Sequence, residues 1–159
     1  MECVCNHSGQ SVNPVYPIAI YNMVKPNCLL ISKSSDPIKI SVADINPNRK
    51  IIAGGSLYVM ELDETKANPY YIKAYLESSS GLAAIQNLST GSVIRILTLE
   101  NLQNLTIPMI PIEEQNQFGL EYQAAMDEVQ LMRRKTEKAI ESMKNMFDTW
   151  TGGSSEKFG

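Results

Sequence analysis

One histidine in 159 residues, His7, removes most of hydrolytic chemistry at the outset. A Ser-His-Asp or Cys-His relay needs a base held beside its nucleophile, and His7 lies in an opening stretch rich in Asn, Ser, Gly and Pro that supplies no scaffold for one. Cysteine is also scarce: Cys3, Cys5 and Cys28. An odd count argues against a disulfide framework. The Cys-x-Cys spacing is not that of a zinc knuckle, whose paired cysteines stand about two to four residues apart. Reduced structural cysteines, with no metal and no cofactor, are the expectation. Glycine never gathers into a phosphate cradle, since Gly54-Gly55-Ser56 is too short and lacks the Lys-Ser/Thr of a P-loop. The Asn/Asp-Pro-Pro-aromatic motif of adenine methyltransferases is missing, and Ile45-Asn46-Pro47-Asn48 does not replace it. The chain is therefore expected to carry no enzymatic activity.

Long apolar runs are absent too. Nothing approaches the ~18 consecutive apolar residues of a membrane span, and the start, Met1-Glu2-Cys3-Val4-Cys5-Asn6-His7, has neither the basic residues nor the apolar run of a secretion signal. A cytoplasmic address without a membrane partner is expected. Positive charge is in short supply as well. Before Glu113, eight cations (Lys25, Lys33, Lys39, Arg49, Lys50, Lys66, Lys73, Arg95) meet eight acids, so the net charge of −3 comes from the residues that follow. A tight binder of duplex nucleic acid normally carries a strongly basic footprint. Any such binding by one copy of this domain is expected to be weak and to gain from assembly.

What is present is enough for one core and an appendage. With 43% apolar residues the chain can bury a core of ordinary size. The continuous apolar stretch 28–32 predicts a buried strand, and Ile38, Ile40 and Val42 alternate with Lys39 and Ser41 as a half-buried strand does. Further strands are expected at 18–21, 51–53, 56–62 and 92–97, with turns at Lys25-Pro26-Asn27 and Asp36-Pro37. Asn68-Pro69 opens a helix with Pro69 at its first position, and Gly81 is expected to close it in the left-handed geometry. A second short helix is read over 82–88 and a capped turn of helix over 98–102. A strand over 104–112, interrupted by Pro108 and Pro111, leads into a helix from Glu113 with no breaker before Gly152.

That helix has a regular apolar edge. Phe118, Tyr122, Ala125, Val129, Met132, Thr136, Ala139, Met143, Met146 and Trp150 follow in alternating steps of four and three, the pattern of a coiled-coil seam. At ~1.5 Å per residue the stretch from Phe118 to Trp150 is roughly 50 Å long, more than the core of such a domain can cover. These ten residues are the expected dimer interface. Charges beside the seam, among them Glu128, Arg133, Arg134, Glu137 and Lys138, suit flanking salt bridges that set partner and orientation.

The order Leu102-Gln103-Asn104-Leu105-Thr106-Ile107-Pro108-Met109-Ile110-Pro111-Ile112-Glu113-Glu114-Gln115 resembles the stretch that closes a target-recognition domain in the DNA-specificity subunits of type I restriction-modification enzymes. Pro69-Tyr70-Tyr71-Ile72-Lys73-Ala74-Tyr75-Leu76, then Gly81-Leu82, then Ser89-Thr90-Gly91-Ser92-Val93-Ile94 follow the same family's order, so the resemblance covers roughly residues 22–147. Such subunits normally hold two recognition domains joined by two long antiparallel helices, around which methyltransferase subunits bind and supply S-adenosylmethionine chemistry. The resemblance implies a half-subunit: one reading domain and one spacer helix, restored to the full pattern by a homodimer. Two-fold pairing would imply a palindromic split target. The family's domains open on a tryptophan and a Leu-Gly-Asp strand. Only 22 residues precede Met23 here and none supplies that opening, so part of the reading surface is expected to be absent.

The fold class expected is α+β, a small mixed β-sheet recognition domain followed by a long coiled-coil helix. Its divisions are residues 1–112, 113–150 and a flexible tail at 151–159. Candidate DNA-binding residues are Lys33, Ser34, Ser35 and Lys39; Asn48, Arg49 and Lys50; and Ser89, Thr90, Gly91, Ser92 and Arg95. They combine hydroxyl and amide groups with fixed charges, which can position on phosphates and bond to base edges, and Gly91 would let backbone approach a phosphate. The partners expected are double-stranded DNA, a methyltransferase subunit and a second copy. Two alternatives stay open: an adaptor that dimerises without reading DNA, and a small enzyme with an unfamiliar site.

Overall fold

The computed structural model describes residues 11–12, 23–34, 37–88 and 96–152. The strands expected at 18–21 and over most of 92–97 lie outside the described residues. So do Asp36, Cys3, Cys5, His7 and residues 153–159.

The elements follow in the order β1 (Ser11–Val12), β2 (Met23–Val24), β3 (Leu29–Ser32), β4 (Ile40–Val42), β5 (Ile51–Ile52), β6 (Leu57–Met60), α1 (Pro69–Glu77), α2 (Ser79–Leu88), α3 (Leu99–Gln103), β7 (Ile107–Pro108) and α4 (Ile112–Gly152). The class is α+β, as expected. Short antiparallel sheets pair β1 with β7, β2 with β5, and β4 and β6 with a central β3.

The unbroken apolar run of β3 follows from its position. Successive side chains on a strand point to opposite faces, and here both faces are covered. Leu29 and Ile31 join a main core with Ile40, Met60, Ile72, Leu76, Leu97, Leu102, Leu105 and Ile107. Cys28 and Leu30 face a second cluster with Val24, Ala43, Ala53 and Val59. The turn ahead of β3 is the one read from Lys25-Pro26-Asn27. Pro26 fixes the first central position and Asn27 takes φ 63° at the second, the pattern of a type II turn, closed by Cys28 N–H donating to Lys25 C=O at 3.3 Å.

At α1 the sequence reading holds for the start and fails for the end. Asn68 Oδ1 accepts from Tyr70 N–H (2.9 Å) and Tyr71 N–H (3.2 Å), and Pro69 takes the first helical position, where its missing N–H costs nothing. The stop, however, is Ser78 and not Gly81. Ser78 turns extended (φ −70°, ψ 162°), donates its N–H and hydroxyl to Tyr75 C=O, and accepts from Gly81 N–H at 3.2 Å, so it caps the end of α1 and the beginning of α2 together. Gly81 is buried inside the first turn of α2, where a Cβ would stand 2.0 Å from Tyr75 C=O. Its conservation of space, rather than any left-handed backbone, is what the position requires, and α2 starts three residues earlier than expected for that reason.

The strand expected over 104–112 contracts to Ile107–Pro108. Proline has no N–H to give a ladder, and Pro108 and Pro111 stand three apart in this stretch, where the described pairing with β1 covers Ser11 and Val12. The helix then begins at Ile112, with Glu113 and Glu114 in its first turn, where the helix dipole favours acids. Two compact units result, Met1–Tyr122 and Gln123–Gly159, so the first three turns of α4 belong to the first unit.

Candidate nucleic-acid interface

The described candidates fall into two groups at opposite ends of the β3–β4 pair. At one end, Ser32 N–H donates to Lys39 C=O (3.0 Å) and Lys39 N–H donates to Ser32 Oγ (2.8 Å), which closes the hairpin and leaves the Lys39 side chain exposed. Lys33 is held on both sides: its N–H donates to Ser56 C=O (2.9 Å) and its C=O accepts from Leu97 N–H (3.0 Å). The Lys33 ammonium stands 4.7 Å from the centre of the Tyr58 ring, whose hydroxyl donates to Leu97 C=O. Ser34 is exposed beside it. At the other end, Asn48 N–H donates to Asn46 Oδ1 (2.9 Å) and Arg49 N–H to Asn46 C=O (3.0 Å). This tight Asx turn presents Asn48, Arg49 and Lys50 to solvent. The second group lies in the loop between β4 and β5. Ser35, Ser89, Thr90, Gly91, Ser92 and Arg95 lie outside the described residues.

The residues before Glu113 are neutral overall but not neutral everywhere. The acids of 61–77 are taken up by three cations: Glu61 by Lys25 (2.8 Å), Asp63 by Lys66 (3.4 Å) and Glu77 by Lys73. Glu64 accepts from Asn27 Nδ2 at 3.1 Å. The pairing with Glu61 raises the Lys25 pKa, and hydrogen bonds from Thr65, with Lys66 behind them, lower that of Asp63. The two exposed pairs, Lys25–Glu61 and Lys66–Asp63, add little stability. Their effect is on the field. Among the described residues, Lys39, Arg49 and Lys50 have no acidic partner, and the one described acid within 33–50 is Asp44. Cys28, the described cysteine, is buried, accepts from Lys25 N–H at 3.2 Å and has its thiol pKa raised by burial, the environment of an inert structural thiol.

The joint between domain and helix is the most completely bonded polar site described, and residue patterns did not reveal it. Gln115, 1% exposed, accepts from Asn68 N–H at 3.0 Å and donates from Nε2 to Ile110 C=O (2.7 Å) and Lys66 C=O (3.2 Å). One amide thus satisfies three backbone groups from two segments, 66–68 and Ile110. Asn116 Oδ1 accepts from Asn68 Nδ2, and Gly119 brings α4 so close that a Cβ there would lie 2.6 Å from Asn68 Oδ1. The Phe118 ring meets Tyr71 edge-on at 5.8 Å and stacks on Tyr122 at 5.9 Å. Tyr122 donates its hydroxyl to Glu77, which Lys73 also holds, and burial together with that bond pushes the Tyr122 pKa up to about 12. An amide in the first turn of a helix, directly after Pro111 and two acids, was the available signal.

No family model matches the chain. It is distantly similar to a curated protein of Methanocaldococcus jannaschii described as "Putative type I restriction enzyme MjaX specificity subunit". Identity is 22% over 156 residues, and the match covers 90% of this chain. The chain spans 36% of that relative's length.

The second unit is helix throughout its described residues. Of the expected seam, Phe118 and Tyr122 belong to the joint, whereas Ala125, Val129, Met132, Thr136, Ala139, Met143, Met146 and Trp150 are exposed. Val129 and Met132 show half of their surface, and Met143, Met146 and Trp150 more than two thirds. Ile140 and Phe147, each one residue past a seam position, are exposed as well and widen the apolar stripe toward the C-terminal end. Among the described residues, no helix is long and apolar enough to cross a membrane.

Proposed function

We propose that this chain is a duplex-DNA recognition module of a type I restriction-modification specificity subunit, working as two copies joined through α4. The segregation of charge in the first unit carries the reading: acids near 61–77 are matched internally, while among the described residues Lys39, in the turn joining β3 to β4, and Arg49 and Lys50, in the loop before β5, have no acidic partner. Cations of this kind can position on the phosphates of a duplex. Asn48 and Ser34 offer amide and hydroxyl groups to base edges. The similarity to a specificity subunit supplies the system in which such a reader would serve.

With so few cations unmatched among the described residues, one copy is a weak duplex binder. A pair of copies doubles the phosphate contacts, and with them the dependence on salt. The exposed seam from Val129 to Trp150 is the surface for that pairing, and a methyltransferase subunit docked on the helices supplies the chemistry. The test is binding of the full chain to a pool of random 40-base-pair duplexes across a salt series. Affinity should fall steeply with salt, and Arg49→Ala with Lys50→Ala should flatten the log–log slope by roughly two. A flat salt response overturns DNA recognition. Binding to a methyltransferase subunit without DNA affinity would favour the adaptor.

A further inference from the structure

The two-residue ladder of β2 and β5 is an unusual surface. Its inward pair, Val24 and Ile51, packs into the second core cluster. By alternation the outward pair is Met23 and Ile52, directly opposite each other, and they are 48% and 73% exposed. A solvated sheet face ordinarily carries polar residues at such positions. Instead, two large apolar side chains stand together, and Ile52 follows two residues after Lys50 and three after Arg49, cations without acidic partners among the described residues.

We propose that the Met23–Ile52 pair is an apolar base-reading element that contacts thymine methyl groups in the major groove, beside a phosphate clamp formed by Arg49 and Lys50. This rests on the DNA-binding reading above. Charge complementarity selects the occupant: the cations of the Asn46 turn position on the duplex backbone but carry no sequence information. The one apolar feature a base edge shows in the major groove is the thymine methyl. A thioether chain and a branched aliphatic chain on adjacent strands present a surface some two side chains wide to it, on a ladder whose inner face is fixed by the core.

Duplexes recovered from the random pool by the full chain are resynthesised with thymine or with uracil, which lacks the methyl group. Thymine duplexes should bind more tightly by about fourfold for each methyl contacted. Met23→Gln with Ile52→Thr should abolish this preference while keeping the salt slope, whereas Arg49→Ala with Lys50→Ala should flatten the slope and keep the preference. Equal affinity of the unaltered chain for both duplexes, with a steep salt slope, overturns the methyl-reading proposal and spares DNA binding. A preference that survives in the Met23/Ile52 variant assigns the contact to other residues and overturns it too. Recovery of no duplex at all sinks both readings.

Discussion

Gln115→Leu removes the side chain on which the joint depends while leaving its volume nearly filled. In the native fold Asn68 N–H, Ile110 C=O and Lys66 C=O all bond to this one amide. Each buried polar group left without a partner costs about 1–3 kcal/mol. Lys66 and Ile110 lie at exposed positions and Asn68 is half-buried, so water can relieve part of the loss and the lower figure applies, giving about 3 kcal/mol. Greater apolar burial by leucine returns about 1 kcal/mol, for a net destabilisation of about 2 kcal/mol. With a urea slope of about 2 kcal/mol per M, the unfolding midpoint of the first unit should fall by about 1 M at unchanged slope. Gln117→Leu, two residues on and exposed, loses only a hydrogen bond to Glu121 and should barely move it. Faster hydrogen exchange at the Asn68 amide should accompany the Gln115 change and not the other. A midpoint shift below about 0.2 M for Gln115→Leu would refute the claim that this amide holds the joint.

Gly81→Ala should lower the melting temperature although alanine favours helix by about 1 kcal/mol, because its Cβ would press on Tyr75 backbone at 2.0 Å and overpacking of this kind costs about 1–3 kcal/mol or more; a rise in melting temperature contradicts the close approach. Tyr122 holds its proton in the folded state up to about 12 against an ordinary 10.0, so its contribution is fully present below pH 10 and is lost as pH rises toward 12. Tyr122→Phe should therefore lose less stability between pH 10 and 12 than the unaltered chain in urea titrations, and parallel losses would exclude the phenol–Glu77 bond as the cause. Charged residues in place of Val129 and Met132 should convert a dimer to a monomer in light scattering, and an unchanged mass would remove the seam from the interface.

How much of this was legible in the sequence depends on whether a residue's role is local. The Asn68 cap, Pro69 at the first position, the Pro26-Asn27 turn and the uninterrupted α4 follow from short-range chemistry, and all appear where the residues indicate. Gly81 was misread because glycine has two uses. Position near a helix end suggests a left-handed cap, whereas close packing of α2 on the last carbonyls of α1 is a tertiary demand that no local pattern encodes. The strand before α4 was overextended because apolar content was weighed above the two missing proline N–H groups. Ladders such as β1 with β7, which pairs Val12 with Ile107, are beyond any local pattern. Heptad spacing marks an apolar edge but not its partner, so Phe118 and Tyr122 share the register of Val129 and Met132 while packing on Tyr71 and against Glu77. In the candidate interface, counting charges gave neutrality. Which acids are already taken by Lys25, Lys66 and Lys73 is a matter of folding, and it sets the matched acids of 61–77 apart from Lys39, Arg49 and Lys50, which have no acidic partner among the described residues.

The most direct test of a paired DNA reader is the sequence content of the duplexes that the full chain enriches from a random pool. Two copies of one short motif in inverted orientation, at a constant separation, are predicted, because two copies paired through α4 as proposed would meet the duplex related by a two-fold axis. Enrichment of a single motif without a spaced inverted partner would contradict the pairing, and no enrichment over the input pool would contradict DNA recognition itself.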